Sequence, residues 1–293
     1  MLTTAEILKR VRRIEIKTKG LSNHVFAGEY HSAFKGRGMS FSEVREYAAG
    51  DDVKSIDWNV TARMRTPFVK VFEEERELTV MLLVDVSASS LFGSHERLKQ
   101  ELITEVCAVL AFSASTNNDK VGVIFFSDKV EKFIPPKKGK SHIMRIISEI
   151  YDFHPKQTGT NIAEALKYFN NVMKKKSIAF VMSDFMCNSS YKDALNIASK
   201  RHDLIGIKVY DKHETELPDI GLARMIDAET GKEIWVNTSS KEVRIAYGKW
   251  FTENTKSTKE LFGKCGAELV SINTAENYVI ALMTMFKKRE SKR

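Results

Sequence analysis

Leu78 to Ser89 reads Leu-Thr-Val-Met-Leu-Leu-Val-Asp-Val-Ser-Ala-Ser, an apolar run that ends on Asp85, Ser87 and Ser89. A run of this length without polar alternation is the pattern of a strand buried on both faces, as in a parallel sheet covered by helices. A second such run, Ile178 to Ser183, ends on Asp184. Between the two, Thr158-Gly159-Thr160-Asn161 opens a stretch with helical spacing at Ala163, Leu166, Phe169 and Met173. Ligands of open α/β sheets gather beyond the carboxyl ends of the strands. Asp85, Ser87, Ser89, Thr160 and Asp184 are therefore expected to meet in one crevice and to form a divalent-metal site. Two carboxylates and three hydroxyls are hard oxygen donors that suit Mg²⁺ or Mn²⁺, and the neutral donors leave residual positive charge and an open position for an incoming carboxylate. The plainer reading is that both aspartates cap strand-to-helix turns and the serines bond nearby backbone.

The chain after Leu78 keeps alternating. Strand-like runs at 78–84, 121–126, 178–183, 204–210 and 268–272 are separated by helical stretches, which predicts an α/β fold: a doubly wound, mostly parallel sheet flanked by helices. The stretch 94–117 carries a broad apolar face through Leu98, Leu102, Val106 and Leu110. Val130 to Ile134 is expected to pair back as a short strand stopped by Pro135-Pro136, and 222–238 to form a hairpin. Final helices are predicted near 240–264 and 275–288. Residues 28–70 are rich in glycine, aromatics and paired charges without helical period, and residues 3–18 read as a short amphipathic helix. The predicted organisation is an irregular, partly β amino-terminal appendage at 1–77, an α/β domain at 78–288 and a basic tail at 289–293.

With 293 residues, 43% hydrophobic and 29% charged, the chain has the balance of a soluble globular protein. No apolar stretch approaches the roughly 18 residues needed to cross a membrane, and the amino terminus has no apolar signal core, so the cytoplasm is the expected compartment. Cys107, Cys187 and Cys265 have no metal-ribbon or disulfide spacing. The net charge of +8 raises the question of nucleic acid. The lysines and arginines lie in separate groups at 9–13, 137–140, 174–176 and 287–293, a pattern that fits solvated faces better than one groove.

In the appendage, Arg37, Glu43, Arg45, Asp51, Asp52, Asp57 and Arg63 surround Tyr47 and Trp58. Such a set can hold irregular backbone through ion pairs and hydrogen bonds, or serve as a second docking surface anchored by Arg and Trp. The structural role is the expected one.

Asp85, Ser87, Ser89, Thr160 and Asp184 together give the carboxy-terminal two thirds a pattern that resembles a von Willebrand factor A domain with its metal-ion-dependent adhesion site. Gly36-Arg37-Gly38-Met39, Glu43-Val44-Arg45, Gly50-Asp51-Asp52-Val53-Lys54, Ile56-Asp57-Trp58-Asn59 and Asp211-x-x-Glu214-x-x-Leu217-Pro218 resemble the signature of the bacterial family called domain of unknown function fifty-eight. Where related proteins often carry Met after the last serine of the metal loop, this chain has Ser90. The resemblance implies a metal-dependent protein-interaction module that works as an adaptor or client-recruiting partner of a MoxR-type AAA+ ATPase chaperone. The partner would supply an Asp or Glu to the metal.

No catalytic constellation is visible. The seven histidines form no His-Glu-x-x-His pattern, and no Gly-x-Ser-x-Gly elbow is present. Gly139-Lys140-Ser141 has the last residues of a phosphate loop, but Ile134 stands where its first glycine belongs. Two alternatives stay open: a metal-dependent hydrolase using Asp85 and Asp184, and a basic nucleic-acid binder.

Overall fold

The computed structural model describes Tyr30, Phe34 and residues 39–74, 77–91, 98–187, 189–226 and 231–291. The expected helix at 3–18, the charged residue Arg37 and residues 292–293 of the expected tail lie outside these. The chain divides into two compact units, one at Phe34–Glu77 and one that holds the chain from Leu78 onward.

In the smaller unit, β1 (Met39–Glu46) and β2 (Phe68–Glu74) form an antiparallel ribbon with a register shift between Phe41 and Glu43. The connection carries a short 3₁₀ turn at Val53–Ser55 and helix α1 (Trp58–Met64). Each is started by an aspartate. Asp52 accepts from the Lys54 N–H, and Asp57 accepts from the N–H groups of Asn59 and Val60. Arg45 forks onto both Asp51 oxygens at 2.6 and 2.8 Å, and Asp51 also accepts from the Ala48 N–H at 2.9 Å. Arg45, Asp51, Asp52 and Asp57 thus hold irregular backbone. Trp58 and Arg63 point to solvent, Trp58 with 68% of its surface exposed.

The larger unit is built on a six-stranded sheet. Its elements in order are β3 (Thr79–Asp85), α2 (Lys99–Thr116), β4 (Lys120–Phe126), β5 (Val130–Lys137), α3 (Lys140–Tyr151), α4 (Ile162–Val172), β6 (Ile178–Ser183), α5 (Lys192–Arg201), β7 (Asp203–Tyr210) and the single turn α6 (Lys212–Thr215). Then come the hairpin β8 (Leu222–Ile226) and β9 (Glu233–Asn237), α7 (Lys241–Lys264), β10 (Glu268–Asn273) and α8 (Tyr278–Ser291). The strand order is β10-β7-β6-β3-β4-β5, parallel throughout except for the β4–β5 pair. The chain leaves β3 toward β4 and later returns to β3's other side with β6. This reversal opens a crevice at the carboxyl ends of β3 and β6.

Alternation along the strands divides the core in two. Met81 and Leu83 of β3 share one face with Ile124, Phe126, Ala179 and Val181, where Leu166 and Phe169 of α4, Leu195 of α5 and Phe262 of α7 cover them. Val80, Leu82 and Val84 point to the other face and are equally buried, as are Leu102, Val106 and Leu110 of α2.

Two expectations need correction. β5 does not stop before Pro135 and Pro136 but runs through them to Lys137. It is an edge strand, and proline, which has no N–H to donate, is tolerated there. The expected basic tail starts too early: Arg289 lies in the last turns of α8, only 5% exposed, with both Asp203 oxygens at 2.5 Å and Glu268 at 3.4 Å. A buried pair with that geometry belongs to the fold. Among the described residues, no helix is long and apolar enough to cross a membrane.

Gly122 marks a place in the sheet where backbone packs against backbone with no room for a side chain. A Cβ there would sit 2.8 Å from Met81 Sδ and 2.9 Å from two backbone atoms of β5, the Ile134 oxygen and the Pro136 nitrogen. The strand cannot yield as a side chain can, so Gly122→Ala is expected to destabilise the protein by about 1–3 kcal/mol. A lowered urea midpoint with an unchanged slope would show it, and an unchanged midpoint would mean that β5 is free to move.

Candidate functional site

The crevice is set by strand register. Val84 lies opposite Met182 in the β3–β6 pair, so Asp85 is level with Ser183 and Asp184 follows one residue on. The Ser183 hydroxyl donates to Asp85 Oδ2 at 2.5 Å, and the Ser87 N–H donates to Asp85 Oδ1 at 3.0 Å. The loop after β3 is tied to β4 by the Val86 N–H donating to the Phe126 carbonyl. It then closes into a 3₁₀ turn, Ala88–Leu91. Ser90, the departure from the family pattern, donates its hydroxyl to the Ser87 carbonyl at 2.7 Å and so braces the turn from inside.

The hydroxyls of Ser87 and Ser89 lie 3.1 Å apart, and Ser89 is near enough to Asp184 to favour its ionised form. Asp85, Ser87 and Ser89 are therefore linked through direct contacts, and Asp184 lines the same small void as Asp85 and Ser89. Thr160 arrives on a separate loop. The Ala88 N–H donates to the Thr158 carbonyl at 3.1 Å, and the Asn161 N–H donates to the Ser127 carbonyl at 2.8 Å, which docks 158–161 against the loops after β3 and β4. Asn161 caps α4 by accepting from the Glu164 N–H. Gly159 leaves room for the Asp128 carboxylate, which a Cβ there would meet at 2.2 Å and push aside. The Thr160 hydroxyl oxygen is buried and has no hydrogen-bond partner among the described residues.

Phe185, directly after Asp184, has φ +54°, a left-handed conformation that costs a bulky residue about 1–3 kcal/mol. It is held there by burial and by an edge-on contact with Phe262 at 5.2 Å between ring centroids. The turn lets the Met186 N–H donate to Asp184 Oδ1 at 3.1 Å.

Three further groups complete the site, and the sequence reading had given none of them a role there. Lys99, at the start of α2, is 1% exposed and donates to Asp184 Oδ2 at 3.1 Å and to Glu214 Oε1 at 2.6 Å. Glu214 is fixed by a capping box with Asp211: its Oε2 accepts from the Asp211 N–H at 2.8 Å, and Asp211 in turn accepts from the Thr274 hydroxyl at 2.6 Å. The Asp211-x-x-Glu214 signature is thus the device that aims Glu214 at Lys99. Lys208 of β7 is fully buried, with Asn254 Oδ1 at 3.3 Å and the Phe251 ring beneath its ammonium at 5.2 Å. One signal for Lys99 was present, since it lies on the stripe of Leu102, Ile103 and Val106 and not on the polar side.

The two carboxylates are electrostatically unequal. Burial, reinforced by the neighbouring Asp184, pushes Asp85 up to about 7 against the hydrogen bonds from Ser183 and Ser87. Burial also pushes Asp184 upward, but Lys99, Ser89 and the Met186 N–H outweigh it and hold Asp184 below the usual carboxylate range. Burial pulls Lys99 down, yet Asp184 and Glu214 keep it above the ordinary lysine value. Burial lowers Lys208. The site therefore pairs one firmly ionised carboxylate with one that shares a proton near neutrality.

The residues present fit a hard divalent cation. All five donors are oxygens, and the Thr160 hydroxyl is a buried acceptor with nothing to bind. The void bounded by Asp85, Ser89, Lys99, Ser183 and Asp184 is about 10 Å³, near the minimum for one water-sized occupant. Among the described residues, no cluster of three or more His, Cys, Asp or Glu side chains is placed to hold a metal, so this is not a high-charge cage.

Residues 43–257 match the model of the family described as protein of unknown function DUF58, and the chain belongs to that family. The uncharacterized protein Rv1480 of Mycobacterium tuberculosis is 26% identical over 283 residues, which span 95% of this chain and 88% of that protein. Among solved structures, an aerotolerance-related membrane protein of Bacteroides fragilis aligns with a TM-score of 0.51 at 16% identity, over 74% of this chain and all of that one. The likeness is one of fold: the α/β arrangement of a mostly parallel sheet between helices, of the von Willebrand factor A-like kind. Proximal thread matrix protein 1 of the mussel byssus, whose structure has a zinc-occupied MIDAS motif, aligns over 45% of this chain and 38% of its own at 22% identity and a TM-score of 0.37.

The titration of Asp85 has a consequence for the metal-free protein. Its folded-state value lies above the unfolded one, so the folded state binds the extra proton between about pH 4 and 7 and loses that stability as pH rises through the window. Asp85→Asn removes the dependence. In the presence of a chelator, the variant is expected to gain urea stability relative to wild type between pH 5 and pH 8. Parallel pH profiles would mean that Asp85 is ionised throughout.

Proposed function

We propose that the protein is a metal-dependent protein-interaction module in which Asp85, Ser87, Ser89, Thr160 and Asp184 hold Mg²⁺ or Mn²⁺. The observation that carries this reading is the buried, orphaned hydroxyl of Thr160, on a loop that the Ala88–Thr158 hydrogen bond docks beside the loop of Ser87 and Ser89, together with two buried aspartates at the turning point of the sheet. A buried acceptor with no donor is costly in a folded protein, and a cation shared with the aspartates would satisfy it. The ion would supply Lewis acidity and an open coordination position at this edge. The chain's own residues fix the donors: Ser183 orients Asp85, the Met186 N–H orients Asp184, and Ser90 braces the loop that presents Ser87 and Ser89.

With three neutral donors, the bound ion keeps positive charge, and a carboxylate from a partner protein would neutralise it in a site of reduced dielectric. A MoxR-type AAA+ ATPase is the partner we propose, with this chain as its adaptor or client recruiter; the support for that choice is the family resemblance. The basic groups at 137–140 and 174–176 lie on separate elements with largely exposed side chains and no interleaved aromatics, which favours a protein partner over nucleic acid.

Calorimetric titration with Mn²⁺ is expected to show one weak site in the wild type and none in Asp85→Ala. Equal binding by both would place the ion elsewhere. Asp184→Ala and a chelator are each expected to abolish association with the partner ATPase in pull-downs while leaving circular dichroism unchanged. Association indifferent to both would move the contact to another surface, of which the ribbon around Arg45, Trp58 and Arg63 is the first to test.

A further inference from the structure

The position of Lys99 goes beyond a list of metal ligands. Its ammonium is buried between two carboxylates from different elements, Asp184 at 3.1 Å and Glu214 at 2.6 Å. Glu214 does not depend on Lys99 for its place, because the Asp211 N–H and the capping box of α6 hold it from behind, and Asp211 is in turn fixed by the Thr274 hydroxyl. Lys99 cannot leave either, since it opens α2 and its stem is enclosed. The void beside Asp85 and Ser89 has Lys99 in its wall. Any divalent ion that uses Asp184 must therefore share that carboxylate with a resident monovalent cation.

We propose that Lys99 is a tethered counter-cation that sets the affinity of the metal centre, and that Glu214 is the post that draws its charge away from Asp184. This rests on the reading that Asp85, Ser87, Ser89, Thr160 and Asp184 bind a divalent ion. The two carboxylates compete for one ammonium. When Lys99 leans on Glu214, the Asp184 oxygens are released to the metal, and when it leans on Asp184 they are withheld. The centre is thereby kept weak and readily exchangeable without changing any ligand, and in its metal-free state the Asp184 carboxylate is not left buried without a cation. A lysine whose only task is to orient Asp184 gives the opposite dependence, because its removal weakens metal binding.

The sign of the effect is the test. An opposite charge within about 4–6 Å of a carboxylate changes its affinity for a proton by about one to three powers of ten, and a divalent ion feels the same field. Mn²⁺ binding to the whole chain, read by calorimetry and by the loss of the free-ion electron paramagnetic resonance signal, is expected to tighten about tenfold or more in Lys99→Met. It should stay near wild type in Lys99→Arg, which keeps the charge, and weaken in Glu214→Gln, which leaves the ammonium to Asp184. The rise in melting temperature on adding Mn²⁺ should follow the same order. Should Lys99→Met fail to fold without metal, the Lys99→Arg and Glu214→Gln pair still carries the test. Wild-type binding with Lys99→Met equal or weaker, or with Glu214→Gln unchanged, overturns the role of Lys99 and leaves the metal reading intact. No binding in any of the four proteins overturns the metal reading itself.

Discussion

Two carboxylates buried side by side at the ends of neighbouring parallel strands are the constraint around which this molecule is arranged. Asp85 is 3% exposed and Asp184 6%, and each raises the free energy of ionising the other. An isolated charge in such a place costs several kcal/mol and is tolerated only with partners. The partners are supplied unequally. Asp184 receives a lysine and a backbone N–H, with Ser89 nearby, while Asp85 receives two hydrogen bonds and, among the described residues, no ion-pair partner. That asymmetry leaves one firmly ionised and one conditional negative charge at the same edge of the sheet.

The rest of the fold follows as support for that edge. Placing β3 between β4 and β6 brings three loops to one end of the sheet, and the main-chain bonds Val86 to Phe126, Ala88 to Thr158 and Asn161 to Ser127 fasten them together. The site is thus held by backbone and by register more than by side-chain packing, which is the kind of rigidity a binding constellation needs. The link Asp184 to Lys99 to Glu214 to Asp211 to Thr274 runs from the loop after β6 to the loops after β7 and β10. It joins two regions that are distant in sequence, and it gives the Asp211-x-x-Glu214 signature a physical purpose.

Much of this was legible in the chain itself. The unbroken apolar runs before Asp85 and Asp184 specified buried parallel strands, and the positions of those aspartates put both at the same end of the sheet. Helix capping by Asn161 and the hairpin at 222–238 also followed from local chemistry. What the sequence did not disclose were interactions whose meaning depends on tertiary neighbours. Lys99 falls on the apolar stripe of its helix, but its carboxylate partners come into view only when α2 is docked with its first turn over the crevice, and Lys208 sits inside an apolar strand where nothing local predicts Phe251 beneath it. Pro135 and Pro136 read as stops because sequence alone does not tell an edge strand from a central one. Arg289 reads as part of a tail because its partners, Asp203 and Glu268, lie far back along the chain.

The central claim is that the five oxygens converge on one ion, and anomalous scattering from a crystal soaked in Mn²⁺ tests it most directly. The account predicts a peak in the crevice at about 2.0–2.3 Å from oxygens drawn from Ser87, Ser89, Thr160 and one or both aspartates, with Thr160 no longer an orphan and the Lys99 ammonium moved beyond hydrogen-bond reach of Asp184, from the 3.1 Å it has without metal, while it stays on Glu214. Full soaking with no peak at this edge, or a peak held by other residues while Lys99 remains on Asp184, would contradict it and would make the buried aspartates a purely internal ion-pair network.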